Sequence, residues 1–140
     1  MKYREFREYW QKEFEKLPVK YAFNQKQLEK AMNELGLDVK TDMDKVISIF
    51  GAGDIWRKDD VEKYKEFSRK ESEQRNELMK DKEFVKDMFL YEMGNHEYGY
   101  TLDSQDVIEA CGVTMTEVLN NEFLHGMWDE ARKEFFKSEE

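Results

Sequence analysis

The stretch Leu102–Leu119, LDSQDVIEACGVTMTEVL, decides the reading of the fold. Gly112 is a residue that takes the left-handed conformation closing a helix without steric cost. Thr114, with Glu117 three positions on, forms the hydroxyl-and-acid box that opens a new helix, and Val113 and Val118 are spaced as its apolar staple. Ser104 or Asp103 opens the helix before the turn, with Leu102 placed to staple onto Val107. A helix, a glycine stop and a capped restart in so short a span leave no room for a strand.

Working outward, the same helical spacing recurs. Val118, Leu119, Phe123, Met127, Ala131 and Phe135 carry one apolar stripe almost to the end of the chain. Upstream, Phe84, Val85, Met88, Phe89 and Met93 form a core stripe that Gly94 or Gly99 ends. From Asp59 the chain reads as a long charged helix, with acid-before-base pairs Asp59–Lys63, Glu66–Lys70 and Glu71–Arg75 at the favourable spacing. Its polar part from Ser68 to Glu77 is expected to project into solvent. Residues 24–36 form a further helix, with Asn24 as N-cap, Gln27 at the third position, Phe23 as staple to Leu28, and Gly36 at the C-terminal turn. Residues 3–17 place Tyr3, Phe6, Trp10, Phe14 and Leu17 on one stripe, which Pro18 stops.

Residues 42–56 support two readings. Val46, Ile47, Ile49 and Phe50 suit a short strand and a hairpin turning at Gly51-Ala52-Gly53 toward Ile55 and Trp56. A short helix capped near Thr41 or Asp42 and stopped by Gly51 fits as well, and the helical neighbours favour it. The expectation is an all-α or mostly α bundle of five to seven helices, with a possible hairpin near 46–57. One domain over 1–140 is expected, its N-terminal helix peripheral.

The chain has 140 residues, enough to bury roughly two-thirds of the surface its unfolded form exposes. Charged residues make up 39% and mean hydropathy is −0.95, yet aromatics at 14% argue against disorder. No apolar run approaches the ~18 residues of a bilayer span, and no apolar stretch follows the charges at the N-terminus. The lone Cys111 excludes an internal disulfide. A soluble protein of the cytoplasm is the expectation.

The net charge of −9 is located rather than spread. Residues 89–131 hold Glu92, Glu97, Asp103, Asp106, Glu109, Glu117, Glu122, Asp129 and Glu130 without a single Lys or Arg, and the remainder of the chain is balanced. Such a surface disfavours nucleic acid and anionic membrane, and favours a basic protein partner.

Several constellations compete for a function. Asp106–Leu119 has the outline of a helix-turn-helix, but its acids oppose DNA binding, so an ordinary helical hairpin is the better reading. Glu92 with His96, and His125 with Asp129, are each spaced to face one way on a helix, and together would suit zinc or iron. Gly51-Ala52-Gly53-Asp54 lacks the flanking elements of a phosphate loop and reads as a turn. Cys111, beside a helix-stopping glycine, reads as a core thiol rather than a nucleophile. The run Tyr91–Thr101 concentrates tyrosines, glycines and acids in a loop suited to recognising protein.

Phe89–Met93 with Asn95-His96-Glu97-Tyr98-Gly99-Tyr100-Thr101, together with Val19–Asn24 and Gly51–Ile55, resembles a family of small bacteriophage and prophage proteins of Gram-positive hosts. The likeness extends over about residues 19–125, with NHEYGYT its specific part. It implies a mobile-element accessory gene acting in the host cytoplasm, and transfers no functional residue.

The functional expectation is a non-enzymatic binding protein without cofactor, a monomer or homodimer. Glu92, Glu97, Tyr98, Tyr100, Asp103, Asp106, Glu109, Glu117 and Glu122 would meet a basic partner such as a CRISPR or restriction nuclease. The alternatives are a metal-dependent protein using His96 and His125, and a phage assembly factor that dimerises through exposed Trp10, Trp56 or Trp128.

Overall fold

The computed structural model describes residues 1–139, with side chains through Lys137; Glu140, the end of the expected domain, lies outside the described residues. Among these residues the protein is mostly helical, with eight α-helices and a small antiparallel sheet of three strands. The helices are α1 (Tyr3–Glu15), α2 (Gln25–Glu34), α3 (Val61–Leu78), α4 (Lys82–Asn95), α5 (Tyr98–Thr101), α6 (Ser104–Ala110), α7 (Met115–Asn120) and α8 (Glu122–Glu139). The strands are β1 (Lys20–Tyr21), β2 (Val46–Ile47) and β3 (Asp54–Arg57). Contacts divide the chain into two compact units, one of Met1–Gln11 with Ser72–Glu140, the other of Lys12–Glu71.

In the first unit α4 is the central helix, packed on α5, α6 and α8. Asp81 caps it through Glu83 and Phe84 N–H, and the helix runs through Gly94 rather than ending there. Phe84, Val85, Met88, Phe89 and Met93 are buried against Tyr3 and Phe6 of α1, Val107 and Ile108 of α6, and Trp128 of α8. The helices on either side of Gly112 form as their caps dictate. Thr114 and Glu117 make both bonds of the box, and Gly112 adopts φ +78°.

Three expectations for this unit need correction. The stripe after Thr114 is two helices, because Asn121 leaves the helical region and its side chain caps Leu124 N–H at 3.0 Å. That break and the short α5 raise the helix count above seven. The polar end of α3 does not simply project into solvent: Gln74 accepts from the Trp10 indole at 2.7 Å, and Arg75 lies over the Phe6 ring at 5.1 Å. Leu102 and Leu119, counted as staple and stripe, are exposed.

In the second unit α2 ends as expected, with Leu37 N–H returning to Met32 O at 2.9 Å around Gly36. Asn24 caps Gln27 N–H, but Phe23 is exposed instead of stapling onto Leu28. The helix favoured for 42–56 does not form; the hairpin reading holds there. β3 pairs with β2 through Val46↔Arg57 and Ile47↔Trp56, and with β1 through Lys20↔Ile55 and Tyr21↔Asp54. Gly51 and Gly53 both take positive φ, and a Cβ on Gly53 would lie 2.5 Å from the Phe23 ring. Asp54 collects hydrogen bonds from Ser48 Oγ, the Ile49, Phe50 and Ala52 amides and the Trp56 indole. A helix over these residues would direct those amides along its own axis instead. Trp56 is fully buried beneath Phe14, Phe50 and Tyr64.

Candidate interaction surface

The tyrosine-rich run lies where α4 hands over to α6. α4 stops at Asn95, with His96 N–H bonded to Glu92 O at 3.0 Å. Glu97 then adopts φ +52° and Leu102 φ +57°, both left-handed and neither a glycine. Such conformations cost a side-chain-bearing residue about 1–3 kcal/mol and persist where surrounding bonds fix them. Here Tyr100 and Thr101 N–H bond back to Glu97 O, and Leu102 N–H to Tyr98 O. Between the two left-handed residues α5 makes one helical turn.

That turn sorts its two tyrosines. Tyr98 is 3% exposed, its ring against Trp128, Phe135 and Phe136 and its hydroxyl 3.1 Å from Ser104 Oγ. Tyr100 points the other way and is 90% exposed, beside Leu102 at 64%. Glu97, Asp103, Asp106 and Glu109 are exposed in the same part of the chain, and Glu117 and Glu122 stand exposed at the starts of α7 and α8.

Two of the nine expected contact residues are therefore not on the surface. Tyr98 anchors the turn from inside. Glu92 is 1% exposed, because it accepts from the Tyr3 hydroxyl at 2.8 Å and approaches Arg7 Nη1 and His96 Nε2, each at 3.4 Å. Burial raises the Tyr3 hydroxyl to about 12, with the Glu92 carboxylate adding to the effect and Arg7 opposing it. His96 continues the chain of contacts, its Nδ1 2.8 Å from Asp106 Oδ2. The imidazole thus links α4 to α6 across the base of the turn.

The fold also accounts for part of the acidity. Asp103 caps α6 through Asp106 N–H, Glu117 closes the box on α7, and Glu122 sits in the first turn of α8. Helix N-termini favour acids, and four helices start within residues 98–122.

The metal constellation does not assemble. Glu92 is occupied by Tyr3 and Arg7, His125 and Asp129 lie 3.9 Å apart as an isolated pair, and among the described residues no group of three His, Cys, Asp or Glu is placed to hold an ion. Cys111 is buried, and burial, reinforced by Glu92, pushes its thiol far above the ordinary range. Trp56 and Trp128 are core residues rather than exposed ones, and Trp10 is half-buried, its indole donating to Gln74. No described helix is long and apolar enough to cross a membrane.

A family model covers nearly the whole of this architecture, from residue 2 to residue 134. The chain belongs to the family of unknown function DUF7659. No curated protein and no solved structure matches it. The stretch shared with DUF7659 takes in the Tyr98–Thr101 turn, the buried Glu92 and the Asp54 hairpin alike.

The residues that sequence reasoning missed were Leu102, Tyr3 and Arg7. The signal for Leu102 was its position directly after Thr101, where a helix of four residues has no second turn to cover it. For Tyr3 and Arg7 the i,i+4 spacing of a phenol and a guanidinium was visible, but their acceptor Glu92 lies 89 and 85 residues away.

Proposed function

We propose that this DUF7659 chain is a binding protein whose contact surface centres on the Tyr98–Asp103 turn and whose partner is a basic protein. The observation that carries this reading is Tyr100, 90% exposed on a turn held by two left-handed non-glycine residues. Tyrosine is, with tryptophan and arginine, one of the side chains enriched among the anchors of protein contacts. Leu102 adds apolar area, and Glu97, Asp103, Asp106 and Glu109 supply the acidic surround, with Glu117 and Glu122 extending it. Acids around an apolar anchor favour a partner lined with Lys and Arg, which speeds encounter and sets orientation. The grooves of nucleic-acid-handling enzymes have that character, and a host defence nuclease of the CRISPR or restriction type is the target class. The likeness of the NHEYGYT segment to phage and prophage proteins supports a mobile-element origin and a site of action in the host cytoplasm.

The test is capture from a host lysate on the immobilised chain, repeated with two variants. Tyr100→Ala with Leu102→Ser removes the anchors, and Glu97→Lys with Glu109→Lys and Glu122→Lys reverses charge without touching the caps at Asp103 and Thr114. A specific partner should be lost with both variants and should elute between about 50 and 300 mM salt, as screening removes the attraction. The same proteins retained by all three chains would end this reading.

A further inference from the structure

The turn that carries Tyr100 borders an open groove of about 380 Å³ in the first unit. Gly94 from the last turn of α4, Glu97, Gly99, Tyr100 and Phe135 of α8 line it. The lining combines an acid without a counter-charge, aromatic surface, and a glycine that the helix around it does not need.

Glu97 is exposed, and among the described residues its carboxylate has neither a hydrogen-bond partner nor an ion pair. The neighbouring acids are engaged: Glu92 by Tyr3, Asp103 by the cap of α6, and Asp106 by His96. Among the described residues no cation lines the groove. Lys133 and Lys137, on the same helix as Phe135, line a separate depression with Lys86, Glu130 and Glu134. Tyr100 is 90% exposed and its ring has no aromatic or cationic partner among the described residues, while Phe135 is half-buried against Tyr98. Gly94 lies inside α4, where glycine weakens a helix relative to alanine. A Cβ added there would meet nothing within 4 Å, so internal packing does not call for the glycine. The missing side chain leaves the groove open instead.

The lining selects among side chains. An apolar one would strip water from Glu97 and leave its charge unpaired, which is costly. An acidic one would be repelled. A cation satisfies the carboxylate, and arginine suits both features at once. Its planar guanidinium forks onto a carboxylate and lays its face on an aromatic ring, whereas the lysine ammonium is a compact, strongly hydrated point charge.

We infer that this groove receives one arginine side chain of the partner, its guanidinium on the Glu97 carboxylate and its plane against the Tyr100 ring. The inference rests on the partner-binding reading above and narrows it from a basic surface to one residue type at a defined place.

The probes are the capped peptide acetyl-Gly-Gly-Arg-Gly-Gly-amide and its counterparts with lysine or citrulline at the centre, titrated into the folded chain and followed by amide chemical shifts. Lysine keeps the charge, so general attraction to a chain of −9 is common to both basic peptides; citrulline keeps the shape without the charge. The arginine peptide should saturate shifts at Gly94, Glu97, Gly99 and Tyr100, with lysine about threefold weaker and citrulline about tenfold weaker. Glu97→Gln should cost the arginine peptide about tenfold and erase its advantage over citrulline, and Tyr100→Ala should cost about threefold. Gly94→Leu should block the groove to all three peptides without lowering the melting temperature, since leucine favours a helix. If that variant fails to fold, Glu97→Gln, an exposed change, still decides. Equal affinity for the arginine and citrulline peptides, indifference to Glu97→Gln, or shifts confined to other residues would overturn the inference. Capture from lysate separates this outcome from the broader reading. A partner lost with Tyr100→Ala and Leu102→Ser but held undiminished by Glu97→Gln would overturn the arginine groove and leave the binding surface standing. Peptide binding as expected, with no partner captured by the unmodified chain, would sink the broader reading and support the groove.

Discussion

Asp54 and Glu92 are both buried carboxylates, one in each unit, and the protein satisfies them in opposite ways. Asp54 takes every partner from its own hairpin, residues 48–56, and among the described residues no cation contacts it. Glu92 takes its shortest bond from Tyr3, 89 residues away on α1, and has Arg7, Asn95 and His96 around it. No buried side-chain nitrogen or oxygen among the described residues lacks a partner, so both arrangements succeed. The difference is one of reach. A carboxylate that gathers backbone amides shapes a loop, whereas one that gathers remote side chains joins segments.

Removing each acceptor tests that contrast, and the loop hub should be the more costly. Asp54→Ala strands several inward-facing donors together, each costing about 1–3 kcal/mol when left unmade, so a loss of about 4 kcal/mol or more is expected. Denaturant unfolding measures it, with loss of the Trp56 fluorescence environment as a second readout. Glu92→Ala leaves the Tyr3 hydroxyl buried without its acceptor, but Arg7 is half exposed and can return to water. The expected loss is about 3 kcal/mol. If Glu92→Ala proved the costlier of the two, the distinction between loop hub and segment tie would be wrong.

What was legible in the sequence follows the same division. Caps are local chemistry, and Asn24, Gly36, Gly112, Thr114 and Glu117 all do what their neighbours in sequence required. The hairpin was undecided because Val46, Ile47, Ile49 and Phe50 suit either element. The residue that settles it is Asp54, whose role appears only once the loop closes around it. The break at Asn121 was hidden because Leu119 and Phe123 continue the stripe's spacing across it. Glu92 was read as surface because a charge on a helix is usually solvated, and Tyr98 because its neighbour Tyr100 is. Only the partners Tyr3, Ser104 and Trp128 reveal that these two face inward.

Acid and alkali should separate the two hubs without mutation. Burial alone would raise the Asp54 carboxyl, but the amides of Phe50, Ala52 and Ile49 and the Ser48 hydroxyl outweigh it and hold the group well below the usual range. An unfolded aspartate takes up its proton near pH ~3.9, while the folded one resists, so stability falls as pH drops below about 4. Asp54→Asn should flatten that limb of a melting-temperature profile.

The smallest effect probes the Glu92 side through Tyr3. An unfolded tyrosine loses its proton near pH ~10, whereas the folded Tyr3 keeps it to about 12. Between these values the folded state binds more protons than the unfolded, so stability declines as pH rises through that window. Tyr3→Phe should remove this decline. At neutral pH it costs about 1 kcal/mol, the net worth of one hydrogen bond, with Glu92 still within reach of Arg7 and His96. Because Asp54 does not titrate in alkali, the alkaline limb should be unchanged in Asp54→Asn. An alkaline limb that moved in Asp54→Asn would show the two carboxylates to be coupled, and the separation of local hub from long-range tie would then describe two parts of one network.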